Sequence, residues 1–454
     1  MSNYQIPMSI TVNVMSGSSV HVKVYPDTTI NELRRGAQQR LRMGLVALVN
    51  QAGTYLDGMS SLRQAGLRDK ETITGVARKA QIYSSRMSKA FALIRISGSV
   101  VTWGDLDYGG DCSEVAGQLS DVQQIFCSEG AFAALTHDGR VVTWGHRPWG
   151  GQSCKVRQQL HYVRQVTGNN FAFAALRGDQ TVITWGLDPY GGDSRHVRDQ
   201  LVSIKAIYAT SSAFAARRGD GNVVSWGEPR QGGDTRQVQS QLVSVREIWS
   251  NEGAFVAQRT DGKLIAWGEH DFGGDASIVA NFFDVRSIQS TGRAFAAIRS
   301  DKTVITWGCP EYGGDSNAVQ AQLRGVKSVQ CTGAACAAVR SDGQVVCWGF
   351  KDAGGDCTAV QRQLGNVTSV AGSSGAFAAL KSDNTVVTWG DPLSGGDCSS
   401  VKHQLQGVVK IVGSYGAFAA MRTDGSVVTW GNELFGGDSS QVEDQLKDLN
   451  RFTG

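Results

Sequence analysis

Three sets of residues in this chain have the chemistry to bind or react. Gly-Gly-Asp occurs at 109–111, 191–193, 232–234, 273–275, 313–315, 354–356, 395–397 and 436–438, and one further copy reads Gly150-Gly151-Gln152. Regularly spaced carboxylates are the raw material of a calcium site, because a hard cation takes several oxygen ligands. Seven histidines (His21, His137, His146, His161, His196, His270, His403) have the chemistry for proton transfer or metal ligation, and nine cysteines that for thiolate chemistry.

Spacing argues against each of these readings. Calcium-binding β-rolls need a nine-residue Gly/Asp period, which is absent here. Gly supplies a turn and Asp caps a single helical turn. The i,i+4 pairs Val115/Leu119, Val156/Leu160, Val197/Leu201 and Val442/Leu446 continue that turn on one face. The histidines fall at unrelated repeat positions, so they share no site. No two cysteines form Cys-x-x-Cys, and Cys112, Cys357 and Cys398 occupy a position that is Ser in most other copies. That usage predicts small reduced thiols rather than a disulfide framework or a zinc site. There is no Gly-x-x-x-x-Gly-Lys-Ser/Thr phosphate loop. The expectation is a protein without catalytic, cofactor or metal residues, and not an enzyme.

The elements carrying these residues repeat. Gly416-Ala-Phe-Ala-Ala-Met-Arg-Thr-Asp-Gly425 followed by Ser-Val-Val-Thr-Trp430-Gly431 reads as strand, Asp-Gly turn and strand. Its Trp-Gly close recurs at Trp103, Trp144, Trp185, Trp226, Trp267, Trp307, Trp348, Trp389 and Trp430, every 41 residues except for one step of 40 after Trp267. A period in this range means a repeat architecture. A preceding Val-x-x-Ile-x-x-Ser segment adds a third short strand to each copy. The inner strands are apolar or small on both faces, which suits small sheets stacked against neighbours.

The chain has 454 residues, 56 glycines against 7 prolines, and a net charge of +3. Residues 1–78 hold nine Lys/Arg and five Asp/Glu, which leaves 35 and 36 for the remainder, or −1. A near-neutral array is poor footing for sequence-independent phosphate binding, so the sequence carries no strong nucleic-acid signal. Met1–Pro7 lacks a signal-peptide pattern and no run nears the ~18 apolar residues of a membrane span. A soluble chain of the cytoplasm or nucleus is expected.

Residues 1–78 read as strand (9–15), strand (19–25), helix from Thr29 to about Met43, strand (45–49) and strand (71–76), an α+β unit. With Leu56-Asp57-Gly58, Leu62, Gly66-Leu67 and Asp69-Lys-Glu-Thr-Ile73, this order resembles ubiquitin and its relatives. The resemblance implies a β-grasp domain and places the family's apolar recognition patch at Val49 and Val76. The conjugating di-glycine tail is absent, because Arg78 runs into Lys79-Ala-Gln-Ile, so a fixed domain is expected. It would either dock on ubiquitin-pathway proteins or cap the array.

Residues 79–454 resemble the regulator of chromosome condensation repeat superfamily, through the Ala-Leu strand and Asp-Gly-x-Val-x-x-Trp-Gly. The short period looks closer to the branch containing β-lactamase inhibitor protein II. The resemblance implies a mostly β protein whose nine three-stranded repeats form a propeller. Three departures stand out: Phe132, Phe214, Phe295, Phe377 and Phe418 replace a His, Gly-Gly-Asp replaces Gly-Gln-Leu-Gly, and nine copies exceed the usual seven. An open β-solenoid shares the periodicity. Leu449-Asn-Arg-Phe452 resembles the opening strand of a tenth copy, suited to closing a ring or covering an edge.

What varies between copies is the four-residue loop after Trp-Gly. These loops carry Tyr108, Trp149 with Arg147, Tyr190, Phe272, Tyr312 and Phe435, and equivalent loops should share one surface. Aromatic residues among charges are the composition of a protein-binding face. The expected function is a non-catalytic interaction scaffold with a protein partner. Family resemblance offers nucleotide exchange on a small GTPase as the alternative.

Overall fold

A computed structural model describes residues 6–447. The last strand-like segment, 449–452, lies outside them. Residues 8–77 form a mixed sheet wrapped on one helix: β1 (Met8–Val14), β2 (Ser19–Val24), α1 (Ile30–Leu41), β3 (Leu45–Val49) and β4 (Thr72–Ala77), in sheet order β2-β1-β4-β3. Thr29 caps α1 through its side chain, and Glu32 returns a bond to the Thr29 N–H, a reciprocal capping box. Ile10, Val12, Leu33, Leu48 and Ile73 close a core made wholly within this unit.

The rest of the described chain is nine three-stranded antiparallel sheets in sequence order. Blade 2 is typical, with an inner strand Val122–Cys127, a middle strand Ala131–Thr136 and an outer strand Val141–Gly145. Inner strands of successive blades touch one another, which places them around a common axis. Side chains alternate along the middle strand. Ala131, Ala133 and Leu135 face the next blade, where Phe173, Ala175 and Trp185 meet them. Small faces large at every interface, which is how close-packed layers interdigitate without voids.

The array closes on itself as a ring. In eight of the nine blades the outer-strand Trp donates its indole N–H to the first glycine carbonyl of the preceding blade's Gly-Gly-Asp or Gly-Gly-Gln turn, as Trp144 does to Gly109 at 3.1 Å. Trp103 in blade 1 donates to Gly436 in blade 9 at 3.2 Å, and Phe91 and Trp103 pack on Ala417 and Ala419. A belt of loop backbone bonds makes the same closure, running from Ser211 N–H to Glu252 (2.9 Å) around to Tyr415 N–H and Ser88 (2.8 Å). The open solenoid is thereby excluded.

The short repeat leaves a local mark. One residue is missing between Asp275 and Val285, a four-residue α-turn (Ala276–Val279) replaces the usual 3₁₀ turn, and the buried Trp307 Nε1 has no acceptor among the described residues. Phe282 instead packs edge-on against Trp307 at 5.4 Å.

Gly-Gly-Asp is a turn and a cap. Gly191 has φ +93°, and a Cβ there would lie 2.5 Å from the Phe214 ring, so only glycine fits. Each following Asp accepts the backbone N–H two residues on, as Asp193 does from Arg195 at 2.9 Å, just ahead of a 3₁₀ turn.

One cysteine expectation is overturned. Cys331 and Cys336 are disulfide-bonded. They are opposite partners in the inner and middle strands of blade 7, and Cys336 stands where the other blades place Phe. Cys112, Cys357 and Cys398 are free thiols.

Candidate functional site

The two ends of the ring differ. At one end lie the post-Trp loops, each a single 3₁₀ turn ended by a left-handed glycine. In six blades, 3 to 5 and 7 to 9, a buried polar residue pins the loop from below. Asn169 donates to Tyr190 O (2.7 Å), Asn251 to Phe272 O (2.6 Å), Thr332 to Ala353 O (3.1 Å) and Ser414 to Phe435 O (2.8 Å). Asn169, Asn251 and Ser414 also accept N–H bonds from the start of their middle strands. A loop held at both sides presents its side chains rigidly, which lowers the entropy cost of using them.

Tyr108, Trp149, Tyr190, Phe272, Tyr312 and Phe435 all lie half-buried at this end. They lean on the residue just ahead of each middle strand. Phe171 sits between Trp149 (5.1 Å, edge-on) and Tyr190 (4.6 Å), and Tyr108 reaches Trp149 at 5.5 Å. Lys89 Nζ lies 3.9 Å over the Tyr108 ring, so a continuous aromatic ribbon crosses blades 1 to 3. On the far side of the ring the Arg293 guanidinium is held between Phe272 (5.0 Å) and Tyr312 (4.8 Å), a cation–π arrangement. Arg147 projects from the ribbon and pairs with Glu114 at 3.2 Å.

Missed in the sequence reading are the most exposed apolar residues of this end: Leu106, Phe350, Leu393, Tyr415 and Leu434. They lie in the consecutive blades 7, 8, 9 and 1. The signal was available as a departure from the repeat, because the fourth loop position is Ala353 in blade 7 and Ser394 in blade 8 where most copies carry an aromatic.

The nine loops together hold ten carboxylates (Asp105, Asp107, Asp188, Glu228, Glu269, Asp271, Glu311, Asp352, Asp391, Glu433) against Arg147, Arg230 and Lys351. This end is therefore acidic as well as aromatic.

The opposite end carries the tight turns and the N-terminal unit. Arg34, only 1% exposed, donates to Gln38 Oε1 (3.0 Å), to Leu45 O (2.9 Å) and to the Asp121 carboxylate of the turn before blade 2. Arg78 donates to Val122 O and lies 3.0 Å from His137 Nε2. Asn31 donates to His137 O, and Gly44 packs so tightly on Ile96 O that no side chain would fit there. Burial, then the Arg34 guanidinium, hold His137 down to about 3, with Asp121 opposing. Burial lowers Arg78 to about 10. These residues form a latch between the two parts of the chain.

Val49 and Val76 lie half-buried on the sheet face turned away from the unit's own core, Val76 opposite Ala47 and Val49 opposite Thr74. Ala47 continues that face into a cleft of about 580 Å³ between the unit and blades 2 and 3, lined also by Tyr55, Met59 and Tyr162. The latch was not anticipated. Its signal lies in the repeat: other blades pair an Arg or Lys with the turn Asp two residues on, whereas blade 1 has Ser97 at the Asp position and blade 2 has Thr136 at the Arg position.

No protein-family model matches this sequence, and no curated protein matches it. Among solved structures, the ectodomain of the Arabidopsis thaliana receptor kinase ACR4 is 14% identical over 59% of this chain and 94% of that one, with a TM-score of 0.36. Prp20p of Saccharomyces cerevisiae is 15% identical over 60% and 81%, with a TM-score of 0.38. The N-terminal unit aligns with a ubiquitin of Caldiarchaeum subterraneum at 19% identity over 16% of this chain and 96% of that one, with a TM-score of 0.15. These are distant likenesses of fold, and the functional reading rests on the chain's own surfaces. Among the described residues no helix is long and apolar enough to cross a membrane.

Proposed function

We propose that this chain is a non-catalytic interaction scaffold whose loop end binds a protein partner. The observation that carries the reading is the loop end itself: half-exposed Tyr, Trp and Phe rings, one per loop in six of the nine blades, with the Tyr190, Phe272 and Phe435 loops pinned by buried polar residues. Rigid aromatics give large contact area at low entropy cost, and such residues dominate hot spots. The N-terminal unit, read as ubiquitin-like, supplies a second contact by docking ubiquitin-pathway proteins through Val49 and Val76.

The test is capture by the immobilised full chain, followed by identification and affinity measurement. The Arg147→Ala/Trp149→Ala variant should lose at least about 2 kcal/mol of partner affinity, roughly thirtyfold. Lys205→Ala/Arg246→Ala on the turn end should lose none. Equal loss from both variants would remove the loop end as the binding surface. A captured small GTPase whose nucleotide release the chain accelerates would move the reading to exchange.

A further inference from the structure

The loop end lacks its ring in three blades, with Gln231 standing alone in blade 4 and two neighbouring gaps in blades 7 and 8. Blades 7 and 8 carry Ala353 and Ser394 at the fourth loop position, which holds Tyr, Trp or Phe in six other blades. In blade 9 the Phe435 ring covers Gly416, where a Cβ would lie 2.7 Å from Phe435 Cδ2. In blade 8 the equivalent Gly375 is covered by the small Ser394 side chain and the Asp391 Cβ, with no ring. What remains is a socket of about 430 Å³, walled by Phe350, Leu393, Tyr415 and Phe435. Leu393 is 76% exposed, Leu434 71% and Phe350 49%. Large exposed apolar residues grouped on neighbouring blades, around a concavity and within a polar rim, mark an interaction site.

The rim selects the occupant. Asp352 and Asp391 line the socket. Glu433 belongs to the bordering blade 9 loop, Lys351 is the one cation of these three loops, and Asp105 and Asp107 carry the acidic sequence into the blade 1 loop. A largely apolar concavity with room for an aromatic ring, bordered by carboxylates, suits a ring carried between positive charges. Resting on the reading of the loop end as the binding surface, we infer that the socket between blades 7 and 9 receives an aromatic side chain from a Lys/Arg-rich segment of the partner protein. The ring occupies the space that blades 7 and 8 leave empty, and the basic flanks meet the rim. Complementary charge of this kind speeds encounter and fixes register more than it adds affinity, so binding should weaken with salt.

The experiment uses the full chain and a fluorescein-labelled peptide, Gly-Lys-Arg-Lys-Phe-Lys-Arg-Lys-Gly, read by anisotropy. Saturable binding is expected. It should weaken at least about tenfold when the peptide Phe becomes Gly, when Glu replaces its basic residues, or in the Ala353→Tyr/Ser394→Tyr chain. Those two substitutions restore side chains that other blades already accommodate, and an unchanged melting temperature confirms the fold. Absence of binding up to about 1 mM peptide, or equal binding to the filled variant, overturns the socket. The captured partner separates the two claims. Loss of the partner in Arg147→Ala/Trp149→Ala but not in the filled variant overturns the socket and keeps the loop end. Retention of the partner in both variants overturns the loop end as well.

Discussion

The two ends of the ring are built by the same repeat and yet present opposite chemistry. At the loop end ten carboxylates and six aromatics project from nine equivalent loops, with three cations among them. At the turn end, Arg177–Asp179, Arg218–Asp220, Arg259–Asp261, Arg340–Asp342 and their equivalents pair within each turn at 2.9–3.9 Å. Exposed Arg164, Lys205, Arg246, Arg286 and Lys327 begin successive inner strands there and leave that end the more basic. A residue type chosen at one repeat position is multiplied around the ring, so each end acquires a charge sign that no single blade has. The ends also differ in how they make contacts. The turn end satisfies most charges locally, and where blades 1 and 2 break the pairing the N-terminal unit docks. The loop end keeps apolar groups exposed, and where blades 7 and 8 break the aromatic pattern a socket opens. On both ends the features that set one blade apart sit at departures from the repeat.

The body between the ends should respond to damage as one unit. Trp267→Ala removes a buried ring that bonds Gly232 of the preceding blade at 3.1 Å and stacks on Phe255 at 5.1 Å. It should cost about 3–5 kcal/mol. Denaturant melts followed at both ends should shift together, and a shift confined to one end would contradict a single cooperative ring.

Asp121→Ala should separate the ends. It leaves the Arg34 and Arg78 guanidiniums buried without their carboxylate, a change that typically costs about 3–5 kcal/mol. Asp121 is 21% exposed, so the lower figure of about 3 kcal/mol is expected here. The loss should fall on docking alone: amide exchange should rise around Arg34 and Arg78 while the loop end keeps its protection. Loss of protection at both ends would mean that the latch supports the ring as a whole.

Acid should reproduce part of that effect. His137 faces Arg34, Arg35, Arg78 and Asp121, and its folded value of about 3 lies below the ordinary 6.5. The undocked state therefore binds the proton more readily, so docking is complete above about pH 6.5 and weakens as pH falls from there toward 3. His137→Gln should flatten the profile over that window. An unchanged profile would assign the acid response to carboxylates elsewhere.

How much of this was legible in the sequence follows from where each interaction is encoded. Strands, Trp burial and the capping role of Gly-Gly-Asp are local or recur every 41 residues, so the pattern carried them. Ring closure depends on Trp103 meeting Gly436, 333 residues away, and periodicity contains no such term. The Cys331–Cys336 bridge was hidden because the lack of Cys-x-x-Cys and the Ser-like position of Cys112, Cys357 and Cys398 argued for free thiols, although Cys336 sits in a Phe position. The latch and the socket are written as single substitutions against the repeat, at Thr136 and Ser97 and at Ala353 and Ser394. A reading tuned to what recurs passes over them.

The smallest stability effect, and the sharpest division between the ends, belongs to Trp149→Ala. Its indole is half-buried, edge-on to Phe171 and 4.4 Å from the His146 ring, and it lies over Gly130 rather than within an inter-blade core. Removing it forfeits ring-to-ring contacts worth about 0.5–1.5 kcal/mol and partial burial, yet leaves no sealed cavity, because the loop end opens to solvent. The net cost should be about 1–2 kcal/mol, well under that of Trp267→Ala. The paired Arg147→Ala change adds less than about 0.5 kcal/mol, since Arg147 and Glu114 are both exposed. The decisive quantity is the ratio of two losses in one preparation. On the loop end, partner affinity should fall more than stability, whereas Asp121→Ala should cost docking and leave partner affinity intact. If Trp149→Ala proves as destabilising as Trp267→Ala, the ribbon is a fourth layer of the core, and the exposed apolar arc of blades 7 to 1 remains as the face that meets a partner.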